Sequence, residues 1–428
     1  MILNNIHKEL GFKKYFNNTL WLFSERIIRM IISIVIGVML TRYLNPIQFG
    51  TYSYVQSFVG LFILIANLGL DEILVREIVN DKFHTESLLN TALFLKLIGF
   101  LIMLIILTIF IYIFNFDINI KIYIYVIAIS ILFQSFNVIE FYLQAKIMGK
   151  HFSILSLISL LISSCLKIYF IYNKAPLISF FYLITLESLI ITVLQIFVLK
   201  KKTNIILNPR FFSKKIAIYL LNNSWPLIFT GIVVSLYMKI DQIMIMDLLN
   251  STAVGEYAAA VKISEAWYFI PTIIMTSLFP AILLAKQDNE KYIRRLRLIY
   301  KLMIIVSLLI SIPMTFLSKN LINFLYGSEY ENSGNILMIH IWSSIFVFIG
   351  VANSKWFIAE NLQKYYIINT TFGAFLNIIL NFIFIPKFGI VAAAWATLIS
   401  YFFAAYFCLF IFNKTRPQFF FITKSLFN

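Results

Sequence analysis

Two arginines three positions apart stand in the first long apolar run of the sequence. Arg26 and Arg29 would project from one face of a helix, and Glu25 precedes Arg29 by four residues, a spacing at which helical side chains meet. The rigid guanidinium fork of arginine offers two donors to two oxygens, which suits a phosphate group. The pattern therefore predicts that this helix binds an anion.

Other charged residues interrupt later apolar runs. Lys262 and Glu265 are three apart and share a helix face, whereas Lys239 and Asp241 are two apart and do not. A charge at mid-membrane costs about 3 kcal/mol, so such residues are functional candidates by default. The cations in apolar runs are Arg26, Arg29, Lys96, Lys167, Lys239, Lys262 and Lys355, and the acids are Glu25, Glu140, Glu187, Asp241 and Glu265.

Each of these charges also has a structural interpretation, which the sequence leaves open. Arg26 and Arg29 stand near a helix end, from which long side chains reach the lipid headgroups. Lys262 with Glu265 would also form an ion pair within one helix, and Lys96 or Lys167 would pair with Glu140 in the same half of the chain. The excess of cations over acids favours an anionic ligand only weakly.

The elements that carry these residues are membrane helices. Hydrophobic residues make up 61% of the 428 residues and charged residues 13%, where a soluble domain carries about 25%. Apolar runs of bilayer length predict an all-α polytopic membrane protein with about twelve transmembrane helices. The predicted spans are 20–41, 50–70, 88–114, 119–144, 152–173, 177–199, 217–243, 254–284, 298–318, 335–359, 365–385 and 389–413.

Lysine and arginine set the expected orientation and division of the chain. With the N-terminus inside, 23 of the 35 cations fall in cytoplasmic segments and five in outer ones, so both termini are expected in the cytoplasm. This topology also accounts for the net charge of +16 without nucleic acid as a partner. The expected parts are a basic segment 1–19 leading into an uncleaved anchor, an N-lobe 20–199, a basic linker 200–216, a C-lobe 217–413 and a tail 414–428.

A short motif occurs twice, as LNPIQFGTY at 44–52 and LNSTAVGEY at 249–257. The copies are six predicted helices apart, an even number, so they indicate two lobes of six helices related by a parallel repeat. The asparagine is expected to cap a turn, the glycine to allow close backbone packing and the tyrosine to anchor at the membrane interface. The motif residues are Asn45, Gly50 and Tyr52 in the first copy and Asn250, Gly255 and Tyr257 in the second.

The sequence lacks the marks of several classes of enzyme. It has no nucleotide-binding GxxxxGK[ST] motif, no Cys/His cluster of metal-ligand spacing and no long outer loop with paired carboxylates. Cys165 and Cys408 stand in apolar runs, where a packed thiol is expected instead of a disulfide. The chain is therefore expected to be a transporter without a resident metal or cofactor.

Residues 26–79 resemble the start of a known transporter family. RYLNPIQFGTYSY and LGLDEILVRE are similar to its first loop and second helix, and KIDQIMI, VGEYAAAVKISE and FGIVAAAWATLIS continue the likeness in the second half. The family is that of polysaccharide transporters, the O-antigen and lipid-linked oligosaccharide flippases of the superfamily that includes multidrug and toxin exporters. Asn45 departs from it, since the family often has glycine there.

The resemblance implies a flippase of the bacterial cytoplasmic (inner) membrane. It would carry undecaprenyl-pyrophosphate-linked oligosaccharide to the outer leaflet by alternating access, through a central cavity between the lobes in which Arg26, Arg29, Lys239 and Lys262 receive the pyrophosphate. Asp241, Glu265 and Glu187 are the candidates for coupling to a proton or sodium gradient. The expected partners are this substrate and membrane lipid, with a polymerase and a chain-length regulator as further candidates, and the protein is expected to act as a monomer.

Two other functions remain open at this point. A multidrug or cation antiporter of the same superfamily would have a cavity dominated by acids or aromatic residues. A polysaccharide polymerase or ligase would need the large outer loop that the predicted spans leave no room for.

Overall fold

A computed structural model describes residues 2–203 and 205–427; Met1, Asn204 and Asn428, which fall in the predicted N-terminal segment, linker and tail, lie outside the described residues. Over those ranges the chain forms seventeen α-helices and no β-strand, so the all-α class is confirmed. The helices are α1 (Ile2–Asn67), α2 (Asp71–Val79), α3 (Thr85–Ile113), α4 (Ile118–Gln134), α5 (Val138–Ala145), α6 (Gly149–Tyr172), α7 (Leu177–Lys202), α8 (Lys214–Leu248), α9 (Ser251–Glu265), α10 (Phe269–Ala285), α11 (Asn289–Tyr326), α12 (Glu331–His340), α13 (Ser343–Ala359), α14 (Gln363–Phe388), α15 (Ile390–Phe402), α16 (Cys408–Ile411) and α17 (Arg416–Phe427).

The helices accommodate about twelve membrane crossings. Nine helical segments within the described ranges are long and apolar enough to span a bilayer, and there are ten if the pair Ser328–His340 and Ser343–Ala359, bent by 46°, crosses as one span. The first segment, Phe23–Val79, contains two predicted spans. Helices α9 and α10 are two halves of the predicted span 254–284, each too short to be counted alone. The chain is thus a multi-pass membrane protein.

Asn45 breaks α1 where the sequence predicts a loop. Its backbone has φ 51°, and its side-chain Oδ1 accepts a hydrogen bond from the amide of Gln48 at 3.1 Å. Pro46 follows, and proline is favoured at the first position of a helix because its missing N–H is not needed there. Asn250 makes the equivalent cap at the start of α9, where its Oδ1 accepts from the amide of Ala253 at 2.9 Å.

The described chain divides into two compact units that do not follow chain order. The first unit contains the residues up to Tyr43 together with Phe58–Ile232, and the second contains Leu44–Ser57 together with Val233–Asn428. The short segment 44–57, which carries the first motif copy, therefore packs with the second copy. The division of the chain at the linker 200–216 stays a prediction.

The two copies of the motif contact each other through their glycines. A Cβ atom added to Gly50 would lie 1.7 Å from the carbonyl oxygen of Ser251, and one added to Gly255 would lie 2.0 Å from that of Pro46. Pro46 and Ser251 hold the same place in the two copies, so the contact is reciprocal. Only glycine permits backbones to approach this closely.

Each unit has its own apolar core. In the first unit, Leu70, Leu88 and Val138 belong to a buried cluster contributed by α2, α3, α5 and the start of α8. In the second, Met303 and Phe348 lie in a cluster formed by α10, α11, α13 and α17. Large apolar side chains elsewhere on the helices remain exposed, as expected of a surface that faces lipid.

Candidate functional site

Arg29 lies in a cluster of polar side chains inside the first unit. Its Nε donates to Glu25 Oε1 at 2.8 Å, and its Nη2 contacts both the hydroxyl and, at 3.3 Å, the carbonyl oxygen of Ser156. Ser156 Oγ also donates to Glu25 Oε1 at 2.5 Å. Glu25 is buried, whereas the Arg29 side chain keeps 36% of its surface exposed. The guanidinium group is therefore fixed on one side and accessible on the other.

Glu187 joins this arginine to a lysine. Its Oε1 lies 3.9 Å from Arg29 Nη1, and its Oε2 lies 3.3 Å from Lys167 Nζ. Ser163 Oγ donates to the same Oε2 at 2.6 Å. The carboxylate of α7 thus bridges cations from α1 and α6, and the four charged groups have no net charge.

A stripe of serines on α6 supports the cluster. Ser156, Ser159, Ser163 and Lys167 follow one another at intervals of three, four and four, which places them on one helix face. Ser159 Oγ donates to the carbonyl oxygen of Glu187 at 3.0 Å. These serines are uncharged and do not stand out among the candidate residues, although the helical spacing of small polar residues in SILSLISLLISSCLK indicates a packed polar face.

The other charges of the first unit lie apart from this cluster. The structure does not bring Arg26 into it, and the Arg26 side chain is exposed. Lys96 is almost completely buried and pairs with Asp71 at 2.6 Å, so the predicted pair with Glu140 is wrong. Glu140 instead accepts a hydrogen bond from Gln144 Nε2 at 2.9 Å. Both α2, which carries Asp71, and α5, which carries Glu140, pack against α3, so helix packing alone does not decide which acid pairs with Lys96.

Asp241 is the centre of a second polar network, inside the second unit. Its Oδ2 accepts from Tyr257 Oη and from Thr397 Oγ1, each at 2.7 Å. Its Oδ1 accepts from Asn381 Nδ2 at 2.5 Å, and Asn381 Nδ2 also contacts Asn377 Oδ1 at 3.1 Å. All five residues are buried. Three donors to one carboxylate stabilise a charge that apolar surroundings would otherwise disfavour.

This network has oxygen atoms suited to a small hard cation. The Asp241 carboxylate, the side-chain oxygens of Asn377 and Asn381 and the Thr397 hydroxyl are the type of ligand that such ions prefer. Asn381 Oδ1 and Asn377 Nδ2 have no hydrogen-bond partner, although both are buried. Within the described part of the chain, no group of three or more His, Cys, Asp or Glu residues could hold a metal ion.

Sequence reasoning identified Asp241 in this network but not its partners. Asn377, Asn381 and Thr397 are neutral residues in apolar helices, and nothing in their own sequence context separates them from structural polar residues. Spacing could have helped, because Asn377 and Asn381 are four apart and must share a face of α14.

Lys239, Lys262 and Glu265 also belong to the second unit. Lys262 is exposed, and its Nζ lies 5.6 Å from the centre of the Phe49 ring. Glu265 is half-buried and lies within electrostatic range of Lys239 and Asp241. Since Arg26 and Arg29 belong to the first unit, the grouping of these four cations around one substrate stays a prediction.

The tyrosines of the repeated motif are not interfacial. Tyr52 is 8% exposed and Tyr257 is 1% exposed, so the predicted role as membrane-interface anchors is wrong for both. Tyr257 instead contributes its hydroxyl group to Asp241, and its ring lies 6.0 Å from the ring of the buried His340.

The second unit also contains an aromatic cavity of about 200 Å³. Four tyrosines contribute to its wall, and small residues such as Gly350 and Ala405 leave it open space. The rings of Tyr237 and Tyr401 stack at 4.4 Å. The tyrosines are Tyr237, Tyr268, Tyr366 and Tyr401.

Comparison with known families decides the relationship of this chain. The model of the family described as polysaccharide biosynthesis protein matches residues 15–286. The chain belongs to that family. A second family model, MatE, matches residues 226–383. The resemblance noted from the sequence is therefore confirmed.

One curated relative is similar over part of its length. The probable low-salt glycan biosynthesis flippase Agl15 of Haloferax volcanii is 27% identical over 169 residues, which are 39% of this chain. The chain spans about a third of that relative, since the match covers 35% of it.

Solved structures share the fold of this polysaccharide biosynthesis protein. An inward-facing multidrug resistance transporter of the MATE family matches with a TM-score of 0.73 and 15% identity, over 92% of this chain and 96% of that one. The lipid II flippase MurJ in an inward closed conformation matches with a TM-score of 0.71 and 17% identity, over 95% and 91%. At such identities the likeness shows the fold alone.

Proposed function

We propose that this protein is a flippase for undecaprenyl-pyrophosphate-linked oligosaccharide. It moves the glycan from the cytoplasmic to the outer leaflet of the inner membrane by alternating access. Family membership and the name of the Haloferax relative support a role in glycan export. The observation that carries the proposal is Arg29, a cation in a membrane helix that is fixed by Glu25 and Ser156 and still partly exposed. A guanidinium group held in this way is already oriented to bind a phosphate group.

The proposal is tested by reconstitution of the purified protein. Vesicles that contain it would receive a lipid-linked oligosaccharide labelled with a fluorophore on the sugar, and a membrane-impermeant quencher would report the leaflet. We expect flipping by the wild type and its loss in the double variant Arg26→Ala/Arg29→Ala. Arg29→Lys, which keeps the charge but not the fork, should retain part of the activity. Equal flipping by the wild type and the double variant would contradict the proposed site.

Transport is proposed to be coupled to an ion gradient through Asp241. Of the three carboxylates considered from the sequence, Asp241 has the most developed surroundings, with three donors and two unsatisfied amide atoms nearby. An imposed sodium or proton gradient should accelerate flipping by the wild type and not by Asp241→Asn. Glu265→Gln and Glu187→Gln are compared in parallel. If all three variants respond to the gradient as the wild type does, these carboxylates do not couple transport.

A multidrug or cation antiporter is the second candidate function. The cavity lined by four tyrosines favours it, because aromatic walls bind apolar and cationic organic molecules. Quenching of protein fluorescence by ethidium would report such binding. Saturable quenching that is lost in Tyr237→Ala, without flipping of the glycan lipid, would favour the antiporter over the flippase.

A further inference from the structure

Arg29 and Lys167 lie near different oxygen atoms of the same carboxylate, that of Glu187. Arg29 Nη1 lies 3.9 Å from Glu187 Oε1, and Lys167 Nζ lies 3.3 Å from Glu187 Oε2. One small anionic group therefore occupies the position between two cations that come from different helices. The diphosphate of a lipid-linked glycan carries two negative charges and presents more acceptor oxygens than a carboxylate, so it would compete for the same donors.

The cluster holds Arg29 in place without the help of Glu187. Glu25, 6% exposed, and Ser156 fix the Nε and Nη2 edge of Arg29, which leaves Nη1 directed toward Glu187. Ser163 adds a hydroxyl group on the other side of the carboxylate, 2.6 Å from Oε2. If the Glu187 carboxylate withdrew, the space that it occupies would still be lined by the donors of Arg29, Lys167 and Ser163.

Glu187 and Arg29 are also the accessible members of the cluster. The Glu187 side chain is 25% exposed and that of Arg29 is 36% exposed, whereas Lys167 is 15% exposed. An anion could reach the Glu187 position without unpacking Glu25. The zero net charge of the four groups means that an incoming anion must replace Glu187, since adding to it would leave excess negative charge in a poorly solvated site.

We propose that Lys167 and Arg29 together bind one phosphate group of the substrate, and that Glu187 is the counter-ion this group displaces. The ligand class is a diphosphate ester, with Ser163 as a further donor. The inference deepens the proposed function and depends on it: it assigns Lys167 to the substrate site and gives Glu187 a role in release, because return of the carboxylate expels the phosphate.

The test measures binding of farnesyl diphosphate, a soluble short-chain isoprenyl diphosphate, to the purified full-length protein by calorimetry. Glu187→Gln removes the competing charge and should tighten binding by about tenfold, whereas Lys167→Gln should weaken it by about tenfold. Lys167→Arg should restore most of the affinity. Glu72→Gln and Lys200→Gln are the matched controls, since both residues are exposed and lie outside the cluster, and these variants should bind as the wild type does.

The outcomes separate this inference from the function on which it depends. If Glu187→Gln binds no more tightly than the wild type, or Lys167→Gln binds equally well while its melting temperature is unchanged, the displacement is wrong even though the flippase proposal stands. If the wild type flips the glycan lipid but binds inorganic diphosphate as strongly as the farnesyl ester, a general anion site replaces the substrate site. If the wild type binds no diphosphate, both proposals fail.

Discussion

At the scale of single residues, burial distinguishes the charges that act from those that only stabilise. Lys96 is 1% exposed and is matched by Asp71 at 2.6 Å, which leaves no access for a ligand. Arg29 has equally good partners but keeps a third of its surface exposed. Removal of Asp71 would leave the buried ammonium group of Lys96 uncompensated, so Asp71→Asn is expected to lower the melting temperature, while Arg29→Ala is expected to affect transport first.

Substitution of Thr397, a single residue, tests the role of the Asp241 network. Thr397→Val keeps the side-chain shape but removes the hydroxyl group that donates to Asp241 Oδ2 at 2.7 Å. A hydrogen bond to a charged group contributes about 2 kcal/mol, so the melting temperature should fall and the ion concentration for half-maximal flipping should rise. Thr397→Ser keeps the donor and is the control. An unchanged ion dependence in Thr397→Val would exclude the hydroxyl group from ion binding.

Residue identity alone could not have revealed either cluster completely. The charges Arg29, Glu187 and Asp241 are recognisable in the sequence because they interrupt apolar runs. Their neutral partners are not, since serine, threonine and asparagine are ordinary in membrane helices and their role depends on which helix faces them. Ser156, for example, acts only because it meets Glu25, 131 positions earlier in the chain.

At the scale of elements, hydropathy predicted the helices but not their breaks. Runs of bilayer length placed most spans within a few residues, because backbone groups in lipid must be paired within a helix. The division of the predicted span 254–284 into α9 and α10 was not foreseen. Nor was the helical continuation on both sides of Asn45, where a loop was expected.

The close packing at Gly50 and Gly255 predicts that a larger side chain at either position destabilises the protein. Gly50→Ala and Gly255→Ala would each drive a methyl group into a backbone carbonyl oxygen, at 1.7 and 2.0 Å. Overpacking of this kind costs about 1–3 kcal/mol, so both variants should melt at lower temperature. Gly60→Ala is the matched control in the same helix, because its added Cβ meets nothing within 4 Å. Equal melting temperatures for all three would show that the segments separate easily.

At the scale of the whole molecule, the distribution of lysine and arginine predicts the orientation. Lys174 and Lys200 stand before and at the end of α7, a single apolar span, and both are exposed. In a background with Cys165→Ser and Cys408→Ser, Lys200→Cys should react with an impermeant maleimide only in inverted vesicles. Lys174→Cys should react only in intact cells. The reverse pattern would place both termini outside.

The reciprocal glycine contact has a consequence for the symmetry of the chain. The glycine of each motif copy packs against a backbone carbonyl group of the other copy. Gly50 lies against Ser251 and Gly255 lies against Pro46, which hold the same place in the two copies. A contact in which two surfaces exchange identical roles is isologous, the arrangement by which two copies of one polypeptide associate about a two-fold axis. The contact between the two motif copies thus has, within a single chain, the symmetric form of a homodimer interface.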